Sequence, residues 1–195
     1  MNGERRNGYG TGREALLIAT VHVVARKGLR GLTFRAVADQ AGVNNTLVAH
    51  HFGTRDTLIK AALEWSTQQS VGISQLKELP STEEEFRESI LALVTAAPDL
   101  QAFQYEMILE SRHRPDLANA VQHWYLSSIT AFAESLRRIG FGKEQGGSQA
   151  AFAVLDGLML QLLAGVDRRG VDDSIRFLWI ALGGDATTRP GGAAN

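Results

Sequence analysis

TFRAVADQAGVNNTLVAHHFG, residues 33–53, sets two short runs of apolar and helix-forming residues on either side of one glycine, and its spacing decides the fold. Thr33 offers an N-cap before Phe34 to Ala41, and Asn44 offers another before residues 45–52. Gly42, between the runs, can take the left-handed conformation that a tight turn demands. Two helices of this length around a glycine turn have helix-turn-helix dimensions. Ala38, four residues before Gly42, is small where a second helix must cross closely. Val37, Ala41, Val43, Val48 and Phe52 are spaced to make a small core between the helices. That leaves Asn44, Asn45, Thr46, Ala49 and His50 on the other side or at the exposed start of the second helix, where recognition helices touch base edges.

Charge along the chain agrees with a nucleic-acid module. Residues 1–60 carry nine Lys/Arg against four acids, a balance of +5, whereas the remaining 135 residues balance to −6. A basic segment joined to an acidic body fits a head that displaces counterions from phosphates. With 195 residues, 44% hydrophobic and 21% charged, the chain can fill one or two compact domains. No stretch reaches the roughly 18 uninterrupted apolar residues of a membrane span, and MNGERRNGYGTGRE lacks the apolar run of a secretory signal, so a cytoplasmic protein is expected. The absence of cysteine excludes disulfides, thiolate-zinc sites and cysteine nucleophiles.

Start and stop signals divide the sequence into about nine helices with no strand pair, an all-α architecture. The spacing Thr11-Gly-Arg-Glu14 is a capping box, and Leu16, Ala19, Val23 and Ala25 follow at helical period toward Lys27-Gly28. Thr54 caps a long helix from Arg55 to about Leu79, which Pro80 ends, and Ser81-Thr-Glu-Glu84 forms a second capping box. Further helices are expected at 82–96, at 98–112 after Pro98, at 115–139 opening on Pro115, at 147–166, and at 172–183 opening on Asp172 and Asp173. The glycine-rich ends, MNGERRNGYG and GGDATTRPGGAAN, are expected to be disordered. Residues 11–56 should form a three-helix DNA-binding domain and residues 57–185 a larger helical bundle.

Gly28, Thr33, Arg35, the run Val37 to Val43, His50-His51-Phe52-Gly53, Arg55 and Leu58 together resemble a TetR-type transcriptional repressor over about 50 residues. The resemblance implies a two-fold dimer that binds a palindromic operator through residues 11–60 and a small-molecule effector through the rest. It also implies that His51 hydrogen-bonds a phosphate and that Arg55 does the same. Two neighbouring histidines on a helix point about 100° apart and no carboxylate cluster completes a shell, so a metal site is not expected. Filling surface at the helix end is the bland alternative for them. Thr33, at a helix N-terminus, and Arg35 are further phosphate candidates. Asn44 is an N-cap first and a base contact second, while Asn45 is free to pair with adenine N6 and N7, and Thr46 to meet a thymine methyl or a phosphate. Leu47 and Ala49 depart from the family, which commonly has a threonine and an aromatic there. Leu47 is expected to touch a thymine methyl or to turn into the core.

The body shows no catalytic constellation. His113 and His123 are not at i, i+4 spacing, Glu83 to Glu85 with Glu88 make a solvated first turn, and no GxxxxGK loop is present. Neither enzyme activity nor a cofactor is expected. Large side chains at helical spacing can line an effector cavity, and Trp65, Phe103, Met107, Trp124 and Phe152 are the candidates, with Gln104, Gln122 and His123 as polar anchors for an apolar or aromatic molecule. The segment SQAAFAVLDGLMLQLLAGV is apolar nearly all round and must be covered on two sides. With IRFLWIALGG it should form a dimer seam, for which Leu158, Leu162, Phe177 and Trp179 are the candidates. A helical small-molecule-binding or scaffold protein that no longer recognises DNA is the second hypothesis, and Leu47 and Ala49 favour it.

Overall fold

The computed structural model describes residues 4–73, 82–138, 140–141 and 146–184. Among them there is no strand, and nine α-helices follow in order: α1 (Glu4–Lys27), α2 (Phe34–Ala41), α3 (Asn45–Phe52), α4 (Arg55–Ile73), α5 (Glu83–Thr95), α6 (Pro98–Ser111), α7 (Pro115–Arg138), α8 (Gly147–Leu163) and α9 (Arg168–Ala181). The all-α architecture is as the sequence implied. None of these helices is long and apolar enough to cross a membrane.

Side-chain oxygens cap the helices where local chemistry asks for them. Thr33 Oγ1 accepts from the Ala36 amide at 3.1 Å, Asn44 Oδ1 from the Thr46 amide at 2.9 Å, and Thr54 Oγ1 from the Thr57 amide at 3.1 Å. Gly42 sits at φ 68 and ψ 32, the left-handed conformation that ends α2. Pro98 and Pro115 open α6 and α7, where a missing amide hydrogen costs nothing.

Four boundaries differ from the sequence-based expectation. α1 begins at Glu4 and runs through Thr11, so the box at 11–14 does not start it; extending a nucleated helix fixes one residue per hydrogen bond gained. The cap of α5 is Thr82, whose hydroxyl accepts from the Glu85 amide at 3.2 Å, one residue later than expected. α8 stops at Leu163, two residues before Gly165 at φ 78, rather than near 166. α9 starts at Arg168 because Asp167 caps it, accepting from the Arg169 amide at 3.4 Å, so Asp172 and Asp173 fall beyond its first turn. The expected end of α4 near Leu79 and the C-terminal tail lie outside the described residues.

Contacts group the chain into two compact units, residues 1–69 with 97–124, and residues 70–96 with 125–195. In the first, α1 packs on α2 and α6. Leu16, Val24, Val37, Leu58, Ile59, Leu63, Phe103, Met107 and Leu117 are buried there, and the buried Thr20 hydroxyl donates to the Leu16 carbonyl at 2.8 Å. In the second unit α5, α8 and α9 pack together, with the aromatic rings of Phe86 and Trp179 5.3 Å apart at the centre. Phe132, Leu136, Leu155 and Ile175 complete that core.

Candidate nucleic-acid interface

The small core between α2 and α3 consists of Val37, Ala38, Val48 and Phe52, each at most 4% exposed. It is narrower than the sequence suggested, because Ala41 is only partly buried and Val43 is 36% exposed. The Val43 amide bonds back to the Ala38 carbonyl at 3.0 Å, closing the turn. Asn44, Asn45, Thr46, Leu47 and His50 are exposed, while Ala49 and His51 are half-buried. Leu47 therefore does not turn into the core; 37% of it stands out from the helix. The Asn44 oxygen is engaged in capping, which is the structural of its two expected roles.

Cations lie elsewhere in the same unit. Lys27, Thr33, Arg35, Ala36, Asp39 and Gln40 line an open groove of about 420 Å³ at the start of α2. Two cations and a helix N-terminus share it, an arrangement suited to a phosphate, and Asp39 supplies the opposing charge. The Arg13 guanidinium lies over the Phe52 ring, 5.3 Å from its centroid. The rings of His50 and His51 meet edge to face at 5.6 Å. Partial burial lowers the His51 pKa from its ordinary value, and the charges of His50 and Arg13 lower it further. A lowered pKa favours the neutral imidazole. Among the described residues no group of three His, Cys, Asp or Glu could hold a metal ion.

Arg55 has a structural task in addition to any contact with DNA. Its Nε donates to the Leu32 carbonyl at 2.9 Å and its Nη2 to the Leu29 carbonyl, so it fastens the 3-10 turn Leu29–Gly31 to the start of α4. Sequence reasoning missed this role, along with Arg13 and Lys27, whose only signal was the excess of positive charge before residue 60.

The body residues are more scattered than their spacing suggested. In the first unit Phe103 and Met107 are fully buried, and buried Gln104 donates from Nε2 to the Ser66 carbonyl at 3.4 Å. Trp65 is half-buried and donates from Nε1 to Glu14 Oε1 at 3.3 Å. Trp124 is buried, whereas Gln122 and His123 face solvent, because the inward phase of α7 runs through Leu117, Val121, Trp124 and Ser128. These two are therefore not interior anchors. Phe152 lies in the second unit with its ring 5.8 Å from Tyr125 and 6.2 Å from Phe132. Beside it the Tyr125 hydroxyl donates to Asp156, and burial, then that carboxylate, push the Tyr125 pKa far up. This pair went unread, since its members are 31 residues apart.

The proposed seam also needs correction. Leu158 and Trp179, 3% and 5% exposed, belong to the core of their own unit, and Leu162 is partly buried against it. A residue so covered has no surface left for a partner. The outward apolar residues of α8 and α9 are Leu160, Leu163, Phe177 and Ile180, with Phe177 72% exposed.

Two family models match the chain. Residues 16–62 match the family model "Bacterial regulatory proteins, tetR family", and residues 81–180 match "Tetracyclin repressor-like, C-terminal domain". The chain is 37% identical over 51 residues to the HTH-type transcriptional regulator BetI of Paraburkholderia phytofirmans, a match covering 26% of each protein. It is 26% identical over 163 residues to BetI 1 of Chromohalobacter salexigens, covering 76% of this chain and 77% of that one. Among solved structures, a TetR-family transcriptional regulator from Rhodococcus sp. superposes with a TM-score of 0.69 at 18% identity, over 88% of this chain and 97% of that one. The multidrug binding protein EbrR complexed with proflavin gives a TM-score of 0.58 at 23% identity, over 87% and 99%. Matched over residues 16–62 and 81–180 by models of one family, and carrying an exposed recognition helix on a basic head, the chain belongs to the TetR family and is a DNA-binding transcriptional regulator, not an enzyme.

Proposed function

We propose that this regulator is a ligand-responsive repressor: a homodimer, acting on cytoplasmic DNA, whose two α3 helices enter successive major grooves of a palindromic operator. Residues 11–56 form the reading head and residues 57–185 the effector and dimer body. The observation that carries this reading is the exposure of the α3 tip, Asn44 to Leu47 with His50, in a unit that also carries the cationic groove of Lys27 and Arg35 at the start of α2. Thr33, Arg35 and the ring of His51 hold phosphates, Arg55 adds a contact while it fastens its turn, and Asn45, Thr46, Leu47, Ala49 and His50 face the bases. The scaffold alternative would not need a polar helix tip held clear of the core.

Dimerisation proceeds through the outer faces of α8 and α9. Leu160, Leu163, Phe177 and Ile180, all at least 38% exposed, are the apolar side chains that such a seam would cover. The effector is a small, largely apolar or aromatic molecule held in the body. Within the second unit Phe152 is its candidate apolar contact, with the neighbouring Tyr125–Asp156 pair as polar anchor. An effector that prefers the non-binding spacing of the heads by about 2.8 kcal/mol weakens operator binding roughly a hundredfold. A gel shift against the DNA upstream of its own gene tests the reading. Binding should weaken by orders of magnitude between 50 and 200 mM salt, and binding indifferent to salt would contradict phosphate-driven recognition. A thermal-shift screen of aromatic compounds, followed by the same gel shift, tests the effector.

A further inference from the structure

A hydroxyl buried on a helix ordinarily donates to a carbonyl one turn back. Thr20, Ser66 and Ser135 do so, reaching the carbonyls of Leu16, Leu63 and Ala131 at 2.8, 2.8 and 3.0 Å. Ser128, only 2% exposed on α7, does not, and its Oγ finds no hydrogen-bond partner among the described residues. A hydroxyl withdrawn from water without a partner costs stability and returns nothing, which calls for an explanation in what the site binds. At about 100° per residue, Ser128 lies about 60° from Tyr125 and about 40° from Phe132 around the helix. Both of those rings pack on Phe152 of α8, at 5.8 and 6.2 Å between centroids, so the serine shares the face of α7 that meets α8. One turn beyond Phe152, Asp156 accepts the Tyr125 hydroxyl. All five residues belong to the second unit, with Tyr125 and Asp156 half-buried and Ser128 enclosed.

The polar atoms on this face are mostly acceptors. Tyr125 spends its proton on Asp156, and an ionised carboxylate only accepts. A carboxylate has roughly four lone-pair directions, so an additional N–H can share Asp156 with the phenol. Around these acceptors stand the aromatic faces of Phe132 and Phe152, which attract a cation and cover an apolar body. A guest that meets all of this carries N–H donors, a positive charge and an apolar group. An alcohol could satisfy Ser128 but gives Asp156 no charge-assisted bond, and a quaternary ammonium ion brings charge without an N–H. We propose that the effector is a protonated primary or secondary amine, whose N–H groups donate to Asp156 and to the Ser128 hydroxyl while its aromatic or alkyl body lies against Phe132 and Phe152. The proposal rests on the effector role given above to the body and adds the chemical class of the molecule and the serine that selects it.

The test uses the full-length protein and a series of phenylalkylamines of increasing chain length, each beside the alcohol and the trimethylammonium ion of the same length. Affinities are read by isothermal titration calorimetry, and operator release by fluorescence anisotropy with a duplex selected from a random-sequence pool. At least one amine should bind about tenfold tighter than both of its counterparts and release the duplex. Ser128→Ala should weaken that amine about fivefold while the ligand-free variant melts no lower than the wild type, because an unpaired hydroxyl has been removed. Asp156→Asn should bring amine and alcohol within about threefold of each other, and the wild-type comparison of head groups stands whether or not this variant folds. Unchanged amine affinity in Ser128→Ala would make the serine purely structural and overturn its assignment. Alcohols or trimethylammonium ions that bind as well as the amines would overturn the amine class and leave effector control by the body standing. A series in which nothing binds would overturn the proposal, and an empty thermal-shift screen of aromatic compounds beside it would overturn the effector role as well.

Discussion

Gly42 concentrates the local requirements of the head into one backbone conformation. At φ 68 and ψ 32 an added Cβ meets no atom within 4 Å, so Gly42→Ala acts through backbone strain alone. The left-handed region disfavours an L-residue by about 1–2 kcal/mol. Urea unfolding should register that loss of stability with an unchanged dependence on denaturant. Asp116 is the charged counterpart. Arg114, then Lys60, whose Nζ is 3.0 Å away, hold its carboxyl at about 2, below its ordinary 3.8. Because the folded value is the lower one, the carboxylate's contribution is present above pH 3.8 and disappears as pH falls from 3.8 towards 2. Asp116→Asn should lower stability at pH 5 and above, where the carboxylate is charged, and converge on the wild type as pH falls towards 2, as urea midpoints at pH 5 and pH 2.5 would show. The Thr33, Asn44 and Gly42 features were legible because each is satisfied within four residues. The carbonyl partners of Arg55, and Lys60 beside Asp116, lie tens of residues away and left no local pattern.

At the scale of elements, helices were legible and facing was less so. Pro98, Pro115 and the threonine caps fix helix starts through backbone groups alone. Which way Val43 or Leu158 points depends on the packing of a neighbouring element, and there spacing gave the wrong side. The fastening of the Leu29–Gly31 turn by Arg55 is another such long-range feature, and it carries a prediction. Arg55→Ala releases two carbonyl acceptors at the turn leading into α2, and should cost about 1–2 kcal/mol in stability and loosen operator binding. Arg55→Lys should not restore both, since one ammonium group cannot reproduce the forked geometry. Urea unfolding alongside anisotropy titrations checks both statements; full recovery by lysine would show that charge alone matters at this position.

For the whole molecule, the sequence of α8 and α9 showed that two sides must be covered without showing which residues form each side. Leu158 and Trp179 went inward and Phe177 remained out, because helical phase against α5 settles the matter. Phe177→Asp should leave the unfolding of the individual chain almost unaltered, since the side chain is already 72% exposed, yet place an unpaired charge in the dimer seam. Sedimentation should find a monomer at micromolar concentration, with operator affinity falling because two heads no longer bind as one. A variant that stays dimeric would move the seam elsewhere. The central claim, that an exposed α3 from each of two chains reads one duplex, is tested most directly by a footprint on selected DNA. It predicts two protected half-sites related by a two-fold axis, with centres about 34 Å or a multiple of that apart. A single asymmetric protected stretch, or protection that survives deletion of one half-site unchanged, would contradict it.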